Sequence, residues 1–258
     1  MKPRDRISTA IRSAASHGDP AIVGYLTAGH PRKETFRDTL RALAAGADVV
    51  EIGVPFTDPM ADGVTVQRSS HIALTQGVTL RWILSELASM PKVDVPLLLM
   101  SYLNPLLSFG FNVLPEAAAR ANVAGFIVPD LPFDESDELR AALDTQGLAL
   151  VQMVTPVTTP ERLARVCESS QGFVYAVTMT GTTGKNAAVL EDVLRYLDRV
   201  RAVAKVPVCA GFGIRSREQV ERLRGHVDGA VIGSALVEVL ERNEDPAAWL
   251  AKLRRSTR

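Results

Sequence analysis

Short, almost uniformly apolar runs recur along the chain, and longer stretches of mixed polarity separate them. The runs are AIVGYL (21–26), DVVEIG (48–53), PLLLM (96–100), GFIVP (125–129), LALVQM (148–153), FVYAV (173–177), VPVCA (206–210) and GAVIG (229–233). They lack the apolar–polar alternation of a half-exposed strand, which is the pattern of strands buried on both faces. The intervening stretches carry the helical period. RKETFRDTLRALAAG (32–46) places Phe36, Leu40 and Leu43 on one face and ends at Gly46, a residue suited to a C-cap. PEAAARANVAG, ESDELRAALDTQG, TPERLARVCESSQG, LEDVLRYLDRVRAVAK and SREQVERLRGH repeat the design. TPERL and SREQV open with a hydroxyl residue followed by acidic or amide residues, an N-cap signature. A further helix, over 4–16, precedes the first strand.

Eight strands alternating with helices in 258 residues predict an α/β fold of the (β/α)8 TIM-barrel type. It carries an extra N-terminal helix and a short helix after strand 8. The rival is a doubly wound sheet, which usually has fewer strands, and no GxGxxG follows the first strand here. No linker or low-complexity segment interrupts the pattern, so one domain over 1–258 is expected.

Composition narrows the function. Lys+Arg and Asp+Glu are both 29, and no basic stripe is present, which argues against nucleic acid. The longest apolar runs are far short of a membrane span, and the polar N-terminus lacks the core of a signal peptide. Two distant cysteines, Cys167 and Cys209, suit a reducing cytoplasm better than a disulfide framework. No two histidines have metal-ligand spacing, so no metal is expected.

In such a barrel the active site lies at the C-terminal ends of the strands. Strand 2 ends in VVEIGVPFTDPMADG, which holds Glu51, Asp58 and Asp62. A carboxylate buried among valines and isoleucine is destabilising unless partnered or neutralised, and burial raises its pKa. Glu51 therefore reads either as a proton shuttle near neutral pH or as a buried acid satisfied by barrel hydroxyls. Asp58 and Asp62 sit between prolines, where acids often form turns and caps. Glycines at two consecutive strand ends, GFGI (211–214) and GSA (233–235), predict a phosphate site. There backbone N–H groups and a helix N-terminus face the anion. The alternative is that these glycines only make tight turns.

EIGVPFTDPMADG closely resembles the tryptophan synthase alpha chain family. GYLTAG precedes it, and LNP, TGTTG, GFGIRS and IGSA follow at the family's order and spacing. The resemblance runs from the initial helix to the last one. It implies retro-aldol cleavage of indole-3-glycerol phosphate to indole and glyceraldehyde 3-phosphate, in tryptophan biosynthesis. It also implies a beta-chain partner in an alpha2–beta2 assembly, and no cofactor in this chain; pyridoxal phosphate belongs to the beta chain. By motif, Glu51 and Asp62 match the catalytic acids. Tyr25, Tyr102, Ile127, Tyr175, Thr183 and Phe212 match the substrate pocket. Gly184, Gly213, Gly233 and Ser234 match the phosphate binders. Asp58 is expected to organise its loop or touch the beta chain, and the loops 55–62 and 179–187 to form a lid.

Four positions depart from the commonest family pattern: His30, Val64, Thr182 and Lys185. Val64 and Thr182 lie in the loops tied to coupling with the beta chain. Two alternatives therefore stay open, a stand-alone lyase releasing free indole and a non-catalytic partner subunit.

Overall fold

The structure is a computed structural model, and it describes residues 1–178, 187–211 and 213–254, without the side chains of 187–189. It opens with α1 (Pro3–Ala15), β1 (Ala21–Thr27), α2 (Phe36–Ala44) and β2 (Val49–Gly53). Then come α3 (Val64–Thr75), α4 (Leu80–Ser89), β3 (Leu97–Met100), α5 (Leu103–Phe109), α6 (Leu114–Arg120) and β4 (Val123–Ile127). The second half runs α7 (Asp137–Asp144), β5 (Ala149–Val154), α8 (Pro160–Ser169), β6 (Val174–Val177) and α9 (Ala187–Val203). It ends with β7 (Val208–Gly211), α10 (Arg217–Arg222), β8 (Gly229–Ile232), α11 (Ser234–Glu241) and α12 (Pro246–Ala251). The eight strands are all parallel and close in sequence order, with β8 paired to β1. This is the (β/α)8 barrel that the alternation of runs predicts.

Strand side chains divide between two cores. Outward residues such as Ile22, Leu26, Val50, Ile52, Leu97 and Leu99 pack under the helices. Inward residues such as Val23, Val49, Leu98, Val151, Phe173 and Cys209 fill the barrel. Burial on both faces is why the strands read as continuous apolar runs. Ile7 and Ile11 of α1 are fully buried in the inner cluster, so this helix closes the N-terminal end of the barrel.

The two N-capping signals form as read, whereas α2 is C-capped by Ala45, and Gly46, which is not at positive φ, packs closely against Ala247. Thr159 accepts from the Arg162 N–H at the start of α8, and Ser216 and Gln219 make a reciprocal capping box on α10. One boundary moves. The fourth run suggests a strand over 125–129, whereas β4 spans Val123–Ile127. Pro129 has no N–H for the ladder, and the β3–β4 register shifts at Leu97/Leu98 to take in an extra residue at the other end.

Candidate active site

At the C-terminal end of the barrel a cavity of about 460 Å³ is lined by Tyr25, Glu51, Asp62, Tyr175, Gly213, Gly233 and Ser234, among others. Seven of the residues singled out from sequence thus converge on one space. Thr183, Gly184 and Phe212 lie outside the described residues, as do Thr182 and Lys185.

Glu51 is an inward residue of β2, registered between Tyr25 of β1 and Leu98 of β3. It is 1% exposed, and its Oε2 has no hydrogen-bond partner among the described residues. Three hydroxyls of the described barrel bond one another instead: Tyr25 Oη pairs with Thr27 Oγ1 at 3.0 Å, and Thr27 Oγ1 with Ser69 Oγ at 2.6 Å. Burial, and then the nearby Asp62 charge, push Glu51 from 4.5 to about 8.

Asp62 comes from the loop between β2 and α3 and is held differently. Tyr102 Oη donates to Asp62 Oδ2 at 3.1 Å and accepts from the Ala61 N–H at 2.9 Å. The Tyr102 ring stacks on Phe56 at 5.0 Å, so loop and tyrosine brace one another. Burial raises Asp62 from 3.8 to about 6, and the Tyr102 hydrogen bond works against that rise. At neutral pH the two carboxyls therefore differ: Glu51 carries a proton and Asp62 carries a charge. Pairs driven apart in this way are the mark of divided acid and base roles. Tyr102 is placed as the support of Asp62, since it is not among the cavity-lining residues.

Two tyrosines floor the chamber, and each rests on a glycine of the adjacent strand. A Cβ at Gly53 would collide with Tyr25 Oη, and one at Gly211 with Tyr175 Oη. Gly211 is therefore small for the sake of a ring, whereas Gly213, at φ 75°, lines the cavity itself. Gly233 and Ser234 stand at the N-terminus of α11, beside Gly213, where free N–H groups suit an anion.

Ile127 does not line the cavity. It is fully buried in the inner cluster with Leu98 and Val151, and Pro129, two residues on, takes the lining place. Sequence reasoning also passed over Met100, Met153, Val177, Val231 and Arg215, all of them lining residues. The signal was available: Val177 lies two positions beyond Tyr175, on the same face of its strand. Asp58 is exposed, with Thr57 Oγ1 donating to its Oδ2 at 2.5 Å. Its partner lies inside its own loop. Among the described residues, no three His, Cys, Asp or Glu side chains cluster as metal ligands.

Unlike carboxyls facing an apolar chamber at the C-terminal rim of a closed parallel barrel define an acid–base barrel enzyme. The comparisons narrow this class to one family. The family profile described as "Tryptophan synthase alpha chain" matches residues 11–257, and the chain belongs to that family. It is 45% identical over 246 residues to a tryptophan synthase alpha chain of Desulfovibrio desulfuricans, covering 94% of this chain and 96% of the relative. It is 42% identical to one from Bacillus cereus over 91% and 92% of the two chains. In three dimensions it is similar to a chain of tryptophan synthase from M. tuberculosis in its aminoacrylate-bound form, with a TM-score of 0.86 and 33% identity. That match covers 96% of this chain and 97% of the other.

Proposed function

We infer that Glu51 and Asp62 run the family's reaction in this chain, the cleavage of indole-3-glycerol phosphate to indole and glyceraldehyde 3-phosphate. The observation that carries this is that the two carboxyls face one cavity with Gly213, Gly233 and Ser234, Glu51 Oε2 without a partner among the described residues and Asp62 held by Tyr102. Breaking the carbon–carbon bond needs an electron sink. Protonated Glu51 gives its proton to indole C3, and the ring nitrogen takes iminium character. Asp62 accepts a hydrogen bond from the indole N–H and stabilises the charge that develops there. The bond to the glycerol carbon then breaks, and its electrons restore the aromatic ring. The hydroxyl on that carbon loses its proton to the Glu51 carboxylate and becomes the aldehyde, so the catalyst is regenerated. The Asp62 bond is stronger in the transition state than in the ground state, as catalysis requires. Gly213, Gly233 and Ser234 hold the phosphate, and Tyr25, Tyr175, Met100 and Met153 enclose the indole.

The chain works beside a beta chain, in an alpha2–beta2 assembly whose pyridoxal phosphate belongs to that partner. Exposed apolar side chains at the C-terminal rim support a partner there. Met60 precedes α3, Val64 opens it, and Leu107 follows β3 on α5; they are 85%, 77% and 52% exposed. The chain is expected to act in the cytoplasm. Among the described residues, no helix is long and apolar enough to cross a membrane.

The test is indole release from indole-3-glycerol phosphate, with and without a cognate beta chain. The beta chain should raise the rate strongly, and Glu51→Gln should lower it by roughly 10²-fold or more in both conditions. Full activity without the partner would favour the stand-alone lyase. A Glu51→Gln chain as active as wild type would remove Glu51 from the chemistry.

A further inference from the structure

Every group so far placed against the phosphate is neutral backbone or hydroxyl, yet the substrate brings close to two negative charges into a chamber that already holds the Asp62 carboxylate. Among the described lining residues there is one cation, Arg215, which shares the cavity wall with Gly213, Gly233 and Ser234. Its backbone is fixed, since its N–H donates to Gln219 Oε1 at 2.6 Å within the capping box of α10. Its side chain is fixed too. Nη1 donates to Glu238 Oε2 at 2.6 Å and Nη2 to Glu238 Oε1 at 2.9 Å. Glu238 belongs to α11, the same helix whose N-terminus faces the cavity, and it also accepts from Thr65 Oγ1 at 3.5 Å. Glu238 occupies one edge of the guanidinium. Five N–H donors in a planar fork leave a second edge able to serve another anion.

We propose that Arg215, oriented by Glu238, donates to the substrate phosphate and makes the site select a phosphorylated glycerol side chain over an uncharged one. This rests on the phosphate reading of Gly213, Gly233 and Ser234 given above. Those backbone groups fix where the phosphate sits. Arg215 supplies the full positive charge that they lack, through charge-assisted hydrogen bonds. Glu238 is a positioning residue, acting through the arginine.

The test is titration of inorganic phosphate into the purified chain, Arg215→Gln and Glu238→Gln, with steady-state kinetics and indole binding alongside. Arg215→Gln should weaken phosphate about ten-fold or more and raise KM for indole-3-glycerol phosphate by a similar factor, with a smaller change in kcat. Indole carries no phosphate, so it should bind this variant within about two-fold of wild type. In Glu238→Gln the new amide still accepts one hydrogen bond but no longer neutralises the guanidinium. That variant should therefore bind phosphate as tightly as wild type or more tightly. Unchanged phosphate affinity in Arg215→Gln would overturn the proposal. So would equal weakening in the two variants, which would make the pair only a clamp between the β7 loop and α11. Should Arg215→Gln not fold, Arg215→Met, which keeps the apolar stem and removes the charge, decides instead: wild-type phosphate affinity in that variant sinks the idea. A wild-type chain that binds no phosphate would remove the phosphate site itself, and Arg215's role with it.

Discussion

Four acids show how one residue type is given two uses by position along a strand. Asp48, just before β2, accepts from the Ile22 N–H at 2.7 Å, and Asp228, just before β8, accepts from the Val208 N–H at 2.8 Å. Both tie neighbouring strands together at the N-terminal face. Glu51, inside β2, and Asp62, in the loop beyond it, instead face the cavity at the other end. The barrel rule separates the two pairs, and that is why Glu51 was legible from sequence. Asp62 was less so: residues alone gave it a turn role, and only the family resemblance made it an acid of the site. Its status depends on Tyr102, forty positions away, and no local pattern reports that contact. Tyr102→Phe removes the bond that holds Asp62 down, so Asp62 should titrate above its present value of about 6. The acid limb of the kcat/KM profile should move up by roughly half to one pH unit. A limb that stays in place while the rate falls at every pH would reduce Tyr102 to a packing residue.

At the scale of elements, the glycines are the instructive case. Gly53 ends β2 and Gly211 ends β7, and in sequence Gly211 reads as a tight turn or as room for an anion. The structure gives them another task, as seats for Tyr25 and Tyr175. Sequence could not show this, because each seat is formed by a tyrosine on the neighbouring strand. Gly53→Ala should force Tyr25 off its position, and overpacking of this kind destabilises by about 1–3 kcal/mol. Urea unfolding measures it, and indole affinity should fall in parallel. A variant with wild-type midpoint and affinity would mean that Tyr25 has room to retreat. The misplaced end of β4 has a similar origin. Val128 and Pro129 continue the apolar run, but apolarity does not mark where a ladder stops, and Ile127 consequently falls inside the core.

For the whole molecule, the buried acids link function to stability. Glu51 titrates near 4.5 when unfolded and at about 8 when folded, so the folded chain holds this proton more tightly. Its contribution to stability is fully present below pH 4.5 and is lost as pH rises through 8. Asp62 behaves alike between 3.8 and about 6. Each pKa unit is about 1.4 kcal/mol, so Glu51 accounts for at most about 5 kcal/mol across its window. Glu51→Gln should flatten the fall in Tm between about pH 5 and 8 and leave the variant more stable than wild type at pH 8. Parallel Tm curves for the two proteins would show that Glu51 ionises freely in the folded state. The barrel was the most legible feature of all, because burial on both faces writes itself into every strand.

Ile7 and Ile11 were introduced as part of the inner core, but they also fix a direction of traffic. With α1 seated under the strands, the barrel is a vessel stoppered at its base. On the function proposed above, indole formed beside Glu51 meets the packed inner core and α1 below it among the described residues, and its way out is the rim by which the substrate enters. A protein that takes indole without releasing it to solvent has to sit as a cover over that rim, where Met60, Val64 and Leu107 lie exposed.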